Sequence, residues 1–541
     1  MNSAATLLAE QADRPGPGRL LADQVGYTAR EMWRSRVVLI FIFVLPLVWL
    51  ALIGIVAGNE VIDEATGLRV MQFVTPTAIV MGVMFASFPP VANSLALARE
   101  QRILKRFRGT PLPTWAYLVG KVLGAVAFAI LAVLLMLVVS VVGYDVQIVW
   151  RTSVATVVTL AVGIAALAAM GLAVGSLARS ASLAETISIA GAVGLAFISG
   201  MFLVGATFPT WLERLAEVFP VRHLVAALQD QFNPYLSGSG WDPGALAVMG
   251  AWAVGAVGVA IWGLRREPGV QRSATATRAT ATGRGLEAVQ PGRPAAMAVA
   301  FDQTRWANRG AWRDPAWIAF AIAMPVGLYL LMATMYGAAE LRPGGYTLTF
   351  FFACGMIAYG VSVTAFINMP GAVATARDRR VLKRLRGTPL APWQYLVGRT
   401  ASVVWIGVLT AAIIVTVAVV VYDVEVAAAG LPLALGVVVL GALTMAACGY
   451  ALLSLMPNAK AMGAVGLGIL LPLSFFSDVF IIGGAPEWMG TVGSLFPLRH
   501  YVYALAAALD PAGSVPWTNL AVMVAWMAVA TTIAVRRFRW E

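Results

Sequence analysis

The chain has 541 residues, of which 60% are hydrophobic and 12% are charged, and it carries a formal net charge of +12. This composition excludes an ordinary soluble domain and indicates an integral membrane protein that crosses the bilayer several times. The basic surplus does not indicate nucleic-acid binding, because Lys and Arg concentrate in the loops on the side of both termini, which predicts that side to be cytoplasmic.

Arginine far outnumbers lysine, and Ala, Gly and Val are abundant, as is typical of bacteria with GC-rich genomes. We therefore expect a multi-pass protein of the bacterial plasma membrane, surrounded by lipid. The two cysteines, Cys354 and Cys448, lie in separate apolar segments. Neither a disulfide framework nor a thiolate metal site is expected from them.

An amphipathic helix is predicted over residues 19–36, just before the first apolar segment. Its apolar residues share one side, so the helix is expected to lie along the inner membrane surface. A basic flank of the first span, with snorkelling arginines, is an equally open interpretation. Four residues of this region recur later in the chain: Asp23, Gln24, Trp33 and Pro46 reappear as Asp302, Gln303, Trp312 and Pro325.

Twelve apolar segments, six in each half of the chain, are long enough to cross a hydrocarbon core of about 30 Å as helices. The expected fold is an all-α polytopic membrane protein with twelve transmembrane helices. In the first half the segments are 37–57, 71–98, 115–142, 153–177, 184–204 and 245–263. In the second half they are 316–337, 346–374, 393–421, 431–456, 461–483 and 516–535.

The polar loop after the second segment is the best-preserved part of an internal duplication. Residues 100–121 and 378–399 are identical at 14 of 22 positions, whereas the apolar segments around them have diverged. Lipid-facing positions accept almost any apolar residue. Shared identity in a charged loop therefore indicates a shared contact outside the bilayer.

Each of these loops is predicted to contain a short amphipathic helix at the cytoplasmic surface. An ordinary charged connector would explain the arginines, but not the repeated Gly-Thr-Pro-Leu and the repeated aromatic residues. Gly109 and Gly387 are expected to end the helices, and Pro111, Pro389 and Pro392 to restart the chain. The apolar faces consist of Ile103, Leu104 and Phe107, and of Val381, Leu382 and Leu385. The basic residues around them are Arg99, Arg102, Lys105, Arg106 and Arg108, and Arg377, Arg379, Arg380, Lys383, Arg384 and Arg386.

An external segment precedes the last span of each half, at 209–228 and 486–505, and holds both histidines of the chain. The proline in its middle predicts two short helices that form a re-entrant cap. We expect its Arg and His side chains to cap backbone carbonyls. A gate or substrate contact is the alternative, and a metal site is disfavoured because each copy has a single histidine. The cap residues are Trp211, Arg222 and His223, and Trp488, Arg499 and His500.

Residues 267–300 are rich in Ala, Thr, Arg, Gly and Pro and show no apolar periodicity, as is typical of a linker. The expected domains are a first six-helix half at 1–266, this cytoplasmic linker, and a second six-helix half at 301–541. Six spans return the chain to its starting side. The halves are therefore expected to be parallel repeats, with both termini cytoplasmic.

With these elements in place, the chain resembles the ABC type-2 permease family, the membrane subunits of ATP-driven exporters of drugs, antibiotics and glycolipids. In that family an interfacial helix, like 19–36 and 301–313 here, begins each half, and a coupling helix follows the second span. The residues that match the coupling pattern are Glu100, Arg106, Gly109, Pro111, Tyr117, Gly120 and Lys121, and Asp378, Arg384, Gly387, Pro389, Tyr395, Gly398 and Arg399. The chain departs from the family in that its halves are fused, and in that Asp378 and Arg399 replace the more usual Glu and Lys.

The resemblance implies that two copies of an ABC ATPase subunit, carrying ATP and Mg²⁺, dock on the two coupling helices. The sequence contains no Walker A pattern, G-x-x-x-x-G-K-[ST]. We therefore expect this chain to bind no cofactor and not to be the ATPase itself. The expected docking feature is an apolar knob ringed by charge, formed by Leu104 with Phe107 and by Leu382 with Leu385.

The resemblance also implies that the second and fifth spans line a pathway for a small hydrophobic or amphipathic compound, as in multidrug or antibiotic efflux. Met and aromatic surfaces suit such ligands, although plain helix packing explains them equally. An ion-coupled transporter is the alternative, disfavoured because the spans hold few charges. No residue cluster indicates an intramembrane enzyme. The candidate pathway residues are Met81, Met84, Phe85, Phe88, Phe197, Met201, Phe202, Phe350, Phe351, Tyr359, Phe366, Phe475, Phe476 and Phe480.

Overall fold

The structure, a computed structural model, is dominated by helices. It describes residues 16–64, 66–107, 113–201, 208–266, 296–313, 318–337, 346–385, 387–388, 390–480, 486–511 and 513–537. Among these residues, one short antiparallel hairpin pairs Val61–Asp63 with Leu68–Arg69. The all-α polytopic fold predicted from the sequence is confirmed.

Nine helices of the described ranges are long and apolar enough to cross a membrane. Three further apolar helices are shorter, and they coincide with the remaining three predicted segments: Ile40–Val56, Ala321–Tyr336 and Ala461–Phe476. The count of twelve spans therefore stays a prediction. We refer to these segments as the first to sixth spans of each half.

In the first half the helices are Pro17–Arg34, Arg36–Leu39, Leu45–Val56, Val70–Ser87, Pro89–Glu100, Ile103–Phe107, Thr114–Tyr144, Ser153–Leu177, Ala181–Ile198, Thr210–Glu217, Pro220–Phe232 and Pro243–Arg265. In the second half they are Ala296–Arg313, Met324–Tyr336, Leu348–Ser362, Met369–Asp378, Val381–Leu385, Pro392–Tyr422, Leu431–Leu455, Ala459–Phe476, Glu487–Gly493, Pro497–Leu509 and Trp517–Arg537. Helices that follow one another without a break form a single span.

The chain forms two compact units that divide after Ala260. Most of the predicted linker, residues 267–295, lies outside the described residues. Its last part is helical, because the interfacial helix expected at 301–313 begins at Ala296. The proposed division into two six-helix halves and a linker otherwise remains a prediction.

The first span of each half contains a widened, π-helical turn, at Ile40–Val44 and at Ala319–Ala323. A proline follows each of these turns, Pro46 and Pro325. Proline has no N–H to donate within a helix and its ring crowds the preceding turn, so a local change of helical pitch accommodates it. The recurrence of these prolines in the sequence thus has a structural cause.

The second span is the central helix of each half. In both halves 94% of its most apolar window is buried inside the protein, against 39% for the third span. In the first half it packs against the first, third, fourth and fifth spans and against the second helix of the cap. Because nearly all of this span is buried, its side chains must fit against several neighbouring helices.

Small residues allow the fourth span to approach the second. A Cβ at Gly171 would lie 2.7 Å from the carbonyl oxygen of Phe88, and one at Gly175 would lie 2.6 Å from that of Ala92. Gly449 repeats this contact in the second half, 2.8 Å from the Phe366 carbonyl oxygen. In the first half the contact has the G-x-x-x-G spacing that brings membrane helices close together.

Candidate coupling site

The interfacial helices Pro17–Arg34 and Ala296–Arg313 pack on the third span of their own halves. A Cβ at Gly120 would lie 2.4 Å from Gln24 Cβ, and a Cβ at Gly398 would lie 2.5 Å from Gln303 Cβ. These glycines recur in both copies because the interfacial helix lies directly on them. This contact within the chain accounts for part of the identity between the two loops, which was interpreted as a shared contact outside the bilayer.

A short helix follows the second span at the predicted place in each half, Ile103–Phe107 and Val381–Leu385. We call these the coupling helices. The residue before each one, Arg102 or Arg380, has a positive φ of 57° or 56°. A left-handed residue is a common way to end a helix, and here it turns the chain from the span into the coupling helix.

Leu104 and Leu382, two of the four residues expected to form apolar knobs, are only 6% and 0% exposed. Docking through the apolar residues of these helices stays a prediction. An amphipathic helix lies with its apolar face on the protein, and these two leucines hold the helix there. Arg106, Lys383 and Arg384 are exposed. The surface open to a partner is therefore mainly basic, with half-buried apolar residues beside it: Ile103, Val381 and Leu385.

Several predicted coupling residues fall outside the described residues: Arg108, Gly109, Pro111, Arg386 and Pro389. The side chains of Lys105 and Phe107 are likewise outside the description. Gly387 lies in an exposed turn and its N–H bonds the Arg384 carbonyl at 3.2 Å. This agrees with a helix that stops at the predicted glycine.

Arg99, near the end of the second span, reaches the C-terminal end of the fourth span. Its guanidinium donates to the carbonyls of Gly175 at 3.0 Å, Ser176, and Ala178 at 3.3 Å. Arg377 does the same in the second half, donating to the Met456 carbonyl at 2.7 Å. A cation is favourable here because the C-terminal end of a helix carries partial negative charge.

The next residue, Glu100, reaches the N-terminal end of the fifth span. Its carboxylate accepts a hydrogen bond of 2.9 Å from the backbone N–H of Ala181. Asp378 accepts one of the same length from Ala459. An acid is favourable at this end, where the helix has unpaired N–H groups and partial positive charge. We call these two Arg and acid pairs, Arg99–Glu100 and Arg377–Asp378, the clamps.

Lys121 of the third span is buried and forms an ion pair with Glu31 of the interfacial helix. It also lies near the rings of Tyr27 and Tyr117, 5.9 Å and 5.6 Å from their centroids. Lys121 was among the residues predicted from the repeat, whereas Glu31 was not, since no recurring residue marks its position.

The second half lacks this ion pair among its described residues. The repeat equivalent of Glu31 is Gly310, and Arg399 instead lies 5.3 Å from the centroid of the Tyr395 ring. The two halves thus differ in the way that the interfacial helix is held.

The cap consists of two short helices broken before a proline in each half: Thr210–Glu217 with Pro220–Phe232, and Glu487–Gly493 with Pro497–Leu509. Its placement on the external side stays a prediction. His223 Nε2 lies 2.7 Å from the Glu217 carbonyl oxygen, and His500 Nε2 lies 2.7 Å from that of Ser494. These contacts are the ones expected if the histidines cap backbone carbonyls. Trp211 and Trp488 are about half exposed.

The sixth span also holds the cap, through two tryptophans that were not among the predicted cap residues. Trp252 donates its indole N–H to the Val218 carbonyl at 2.7 Å, and Trp526 donates to that of Leu495 at 2.9 Å. Each indole stacks on the phenylalanine before the cap proline, Phe219 or Phe496. The occurrence of a tryptophan in the last span of each half is the feature of the sequence that could have predicted these contacts.

The cap arginines differ between the halves. Arg499 pairs with Asp478 at 2.6 Å and donates to the Phe476 carbonyl at 3.3 Å. Arg222 lies 5.9 Å from the centroid of the Phe208 ring. Within the described residues, no group of three or more His, Cys, Asp or Glu side chains could hold a metal ion.

The candidate pathway side chains that the structure describes are buried or half-buried. Met81 and Met84 are fully buried. In the second half the rings of Tyr359 and Phe480 lie 5.1 Å apart, and those of Phe475 and Phe480 lie 5.2 Å apart. These are contacts of helix packing, and substrate binding by the same side chains stays a prediction. Phe202 lies outside the described residues.

Comparison with known proteins finds a family match in each half. The family model for the ABC-2 type transporter matches residues 25–232 and again residues 304–509. The chain is also similar to the inner membrane transport permease YadH of Escherichia coli K12, with 25% identity over 207 residues, or 38% of this chain and 80% of the relative. The proteins of the same name in Escherichia coli O157:H7 and Shigella flexneri show the same identity and coverage.

Proposed function

Because the chain belongs to the ABC-2 type transporter family, we propose that it is a permease that exports a hydrophobic or amphipathic compound, driven by two copies of a separate ATPase subunit. Membership of the family makes it a membrane component of an ABC transporter, and its relatives support a place in the bacterial inner membrane. The nature of the substrate, the number of ATPase copies and the cytoplasmic placement of both termini are part of the proposal.

The observation that carries the proposal is the pair of coupling helices, one per half, each held to the permease by a buried leucine. Leu104 and Leu382 face inward, while Arg106, Lys383 and Arg384 are exposed. Two equivalent basic surfaces suit two equivalent partner subunits with acidic docking grooves. Complementary charge would guide the docking and fix its register.

The buried Met and aromatic side chains of the second and fifth spans support an apolar substrate. Such side chains repack readily around varied apolar ligands. They favour a drug-like or lipid-like compound over an ion or a sugar. Efflux that confers drug or antibiotic resistance is one form that this activity would take.

The proposal is tested by co-purifying the chain with its ATPase partner and reconstituting the complex in lipid vesicles. We expect ATP-dependent, vanadate-sensitive movement of a hydrophobic dye. Movement driven by a proton gradient without any ATPase would instead establish the ion-coupled alternative and overturn the proposal.

The docking surface is tested by reversing its charge with Arg106→Glu and Arg384→Glu. The amount of ATPase that co-purifies should fall at least about tenfold, since charge reversal opposes both attraction and register. The matched control is Arg265→Glu with Arg537→Glu, which reverses two exposed arginines at the ends of the sixth spans. Equal loss of ATPase in both variants would contradict docking on the coupling helices.

A further inference from the structure

In each half, side chains at the end of the second span hydrogen-bond to the C-terminal end of the fourth span and to the N-terminal end of the fifth span. Resting on the proposed function, we propose that the clamps are positioning devices, in which Arg99 with Glu100 and Arg377 with Asp378 carry displacement of the coupling helix to the fourth and fifth spans. In this role the clamp residues transmit movement and need not touch the ATPase.

The hydrogen bonds at the start of the fifth span support this role. Ser180, directly before the helix, already accepts the N–H of Leu183 at 3.2 Å, as an ordinary N-cap residue does. Glu100 adds a second acceptor from 81 residues away in the chain. The helix has a cap without Glu100, so the added bond serves chiefly to join two spans.

The second half repeats this arrangement with different residues. Asn458 is the local cap and accepts the N–H of Ala461 at 2.8 Å, while Asp378 supplies the distant acceptor. The shorter side chain of Asp378 bonds at the same 2.9 Å as Glu100. The two halves keep this hydrogen bond although the side chain differs in length, which indicates that the acceptor oxygen is the feature required at this position.

The coupling helix joins the clamp through a short connection that backbone hydrogen bonds support. Only Gln101 and Arg102 separate Glu100 from the coupling helix. The N–H of Arg102 bonds the Arg99 carbonyl at 3.0 Å, and the N–H of Arg106 bonds the Arg102 carbonyl at 3.2 Å. Because the connection is short and hydrogen-bonded, a displacement of the coupling helix is passed on to the clamp.

The opposite charges of the clamp suit the two helix ends that they join. Arg99 lies at the negative end of the fourth span and Glu100 at the positive end of the fifth. Exchanging the two would place each charge at the wrong end. The order of arginine before acid is the same in the second half.

The test compares three forms of the reconstituted complex: wild type, Glu100→Ala with Asp378→Ala, and Glu100→Gln with Asp378→Asn. The alanine form removes the acceptor, and the amide form keeps an acceptor oxygen. With charged hydrogen bonds of this strength, we expect dye transported per ATP hydrolysed to fall about tenfold in the alanine form. The amide form loses the charge but keeps the acceptor oxygen, so its ratio should fall less, by about threefold.

Two controls show that the change arises at the clamp. ATPase co-purification should be unchanged in all three forms, because the clamp is not the docking surface. Glu213→Ala with Glu487→Ala removes exposed acids from the cap and should leave transport per ATP unchanged. A wild-type ratio in the alanine form, or equal loss in the alanine and amide forms, would overturn the proposal.

Hydrogen exchange separates failure of the clamp from failure of the proposed function. Peptides that contain Ala181 and Ala459 should take up deuterium faster in the alanine form than in the wild type and the amide form. Uptake that is identical in all three forms would overturn the clamp, whether or not transport occurs. Absence of ATP-driven transport in the wild type would overturn the proposed function, and exchange would then decide the clamp by itself.

Discussion

Gly441 and Tyr501 touch so closely that a Cβ at Gly441 would lie 2.3 Å from the tyrosine ring. Tyr501 is fully buried, so its ring has little room to move. The equivalent glycine of the first half, Gly163, faces the methyl groups of Leu224, 2.7 Å from such a Cβ. In both halves the fourth span thus receives the second cap helix at a glycine.

Gly441→Ala should lower the stability of the protein more than Gly163→Ala. Overpacking a rigid ring costs about 1–3 kcal/mol, and the flexible end of a leucine can yield at the lower end of that range. Gly436→Ala is the control on the same span, because nothing lies within 4 Å of its added Cβ. Thermal unfolding in detergent, monitored by tryptophan fluorescence, measures the relative stability of the three variants. An unchanged melting temperature for Gly441→Ala would refute the close contact.

Glu31→Gln should destabilise the protein more than Lys121→Met, although both break the same ion pair. The first change leaves a buried ammonium without its partner, whereas the second leaves a carboxylate that water reaches. We expect a difference of about 1–2 kcal/mol, reduced from that of a fully buried pair by the exposure of Glu31. Arg399→Met is the natural comparison and should resemble Lys121→Met. Thermal unfolding is the measurement, and a reversed order for the two first-half variants would contradict this prediction.

Trp252→Phe and Trp526→Phe should loosen the cap while keeping its aromatic stacking. Each change removes one indole hydrogen bond to a backbone carbonyl, worth about 0.5–1.5 kcal/mol. Deuterium uptake should rise in peptides that contain Val218 and Leu495. Trp262→Phe, a change at an exposed tryptophan of the same first-half span, should leave the uptake of those peptides unchanged. Equal uptake in every variant would show that the indole bonds do not hold the cap.

Arg102→Gly and Arg102→Val should have opposite effects on the turn into the coupling helix. Residue 102 has a φ of 57°, a region that costs a side-chain-bearing residue about 1–2 kcal/mol, that glycine adopts freely and that a β-branched residue tolerates least. We expect the coupling helix to exchange deuterium fastest in the valine variant. The glycine variant should match or exceed the protection of the wild type, and Arg380 offers an independent repeat of the experiment. Greater protection in the valine variant would rule out the left-handed turn.

The helices of this fold were predictable from apolar length and proline position. The cap prolines Pro220 and Pro497 begin new helices as expected, because proline fits the first turn of a helix. The first and fifth spans were harder, since widened turns and short helices depart from uniform periodicity. The start of the second interfacial helix at Ala296 could not be predicted, because residues 296–300 have the same Ala-rich composition as the linker.

The short helices Ile103–Phe107 and Val381–Leu385 lie where the repeated loop predicted helices, and their role in docking stays a prediction. The burial of Leu104 and Leu382 could not be predicted from the sequence. Identity between two copies reports any shared contact, internal or external, and a sequence does not separate the two. Glu31 and Trp252 were missed for a related reason: their partners, Lys121 and the Val218 carbonyl, are distant in the chain, and no local pattern records such contacts.

The ion pair between Glu31 and Lys121 has a consequence for the order of assembly in the cell. The two residues are 90 positions apart, so Glu31 leaves the ribosome well before its partner does. The amphipathic helix must therefore wait at the membrane surface until the third span has been inserted, and only then can it dock. The buried ion pair of the first half therefore forms only after the third span is in place, whereas the fourth to sixth spans are still to follow.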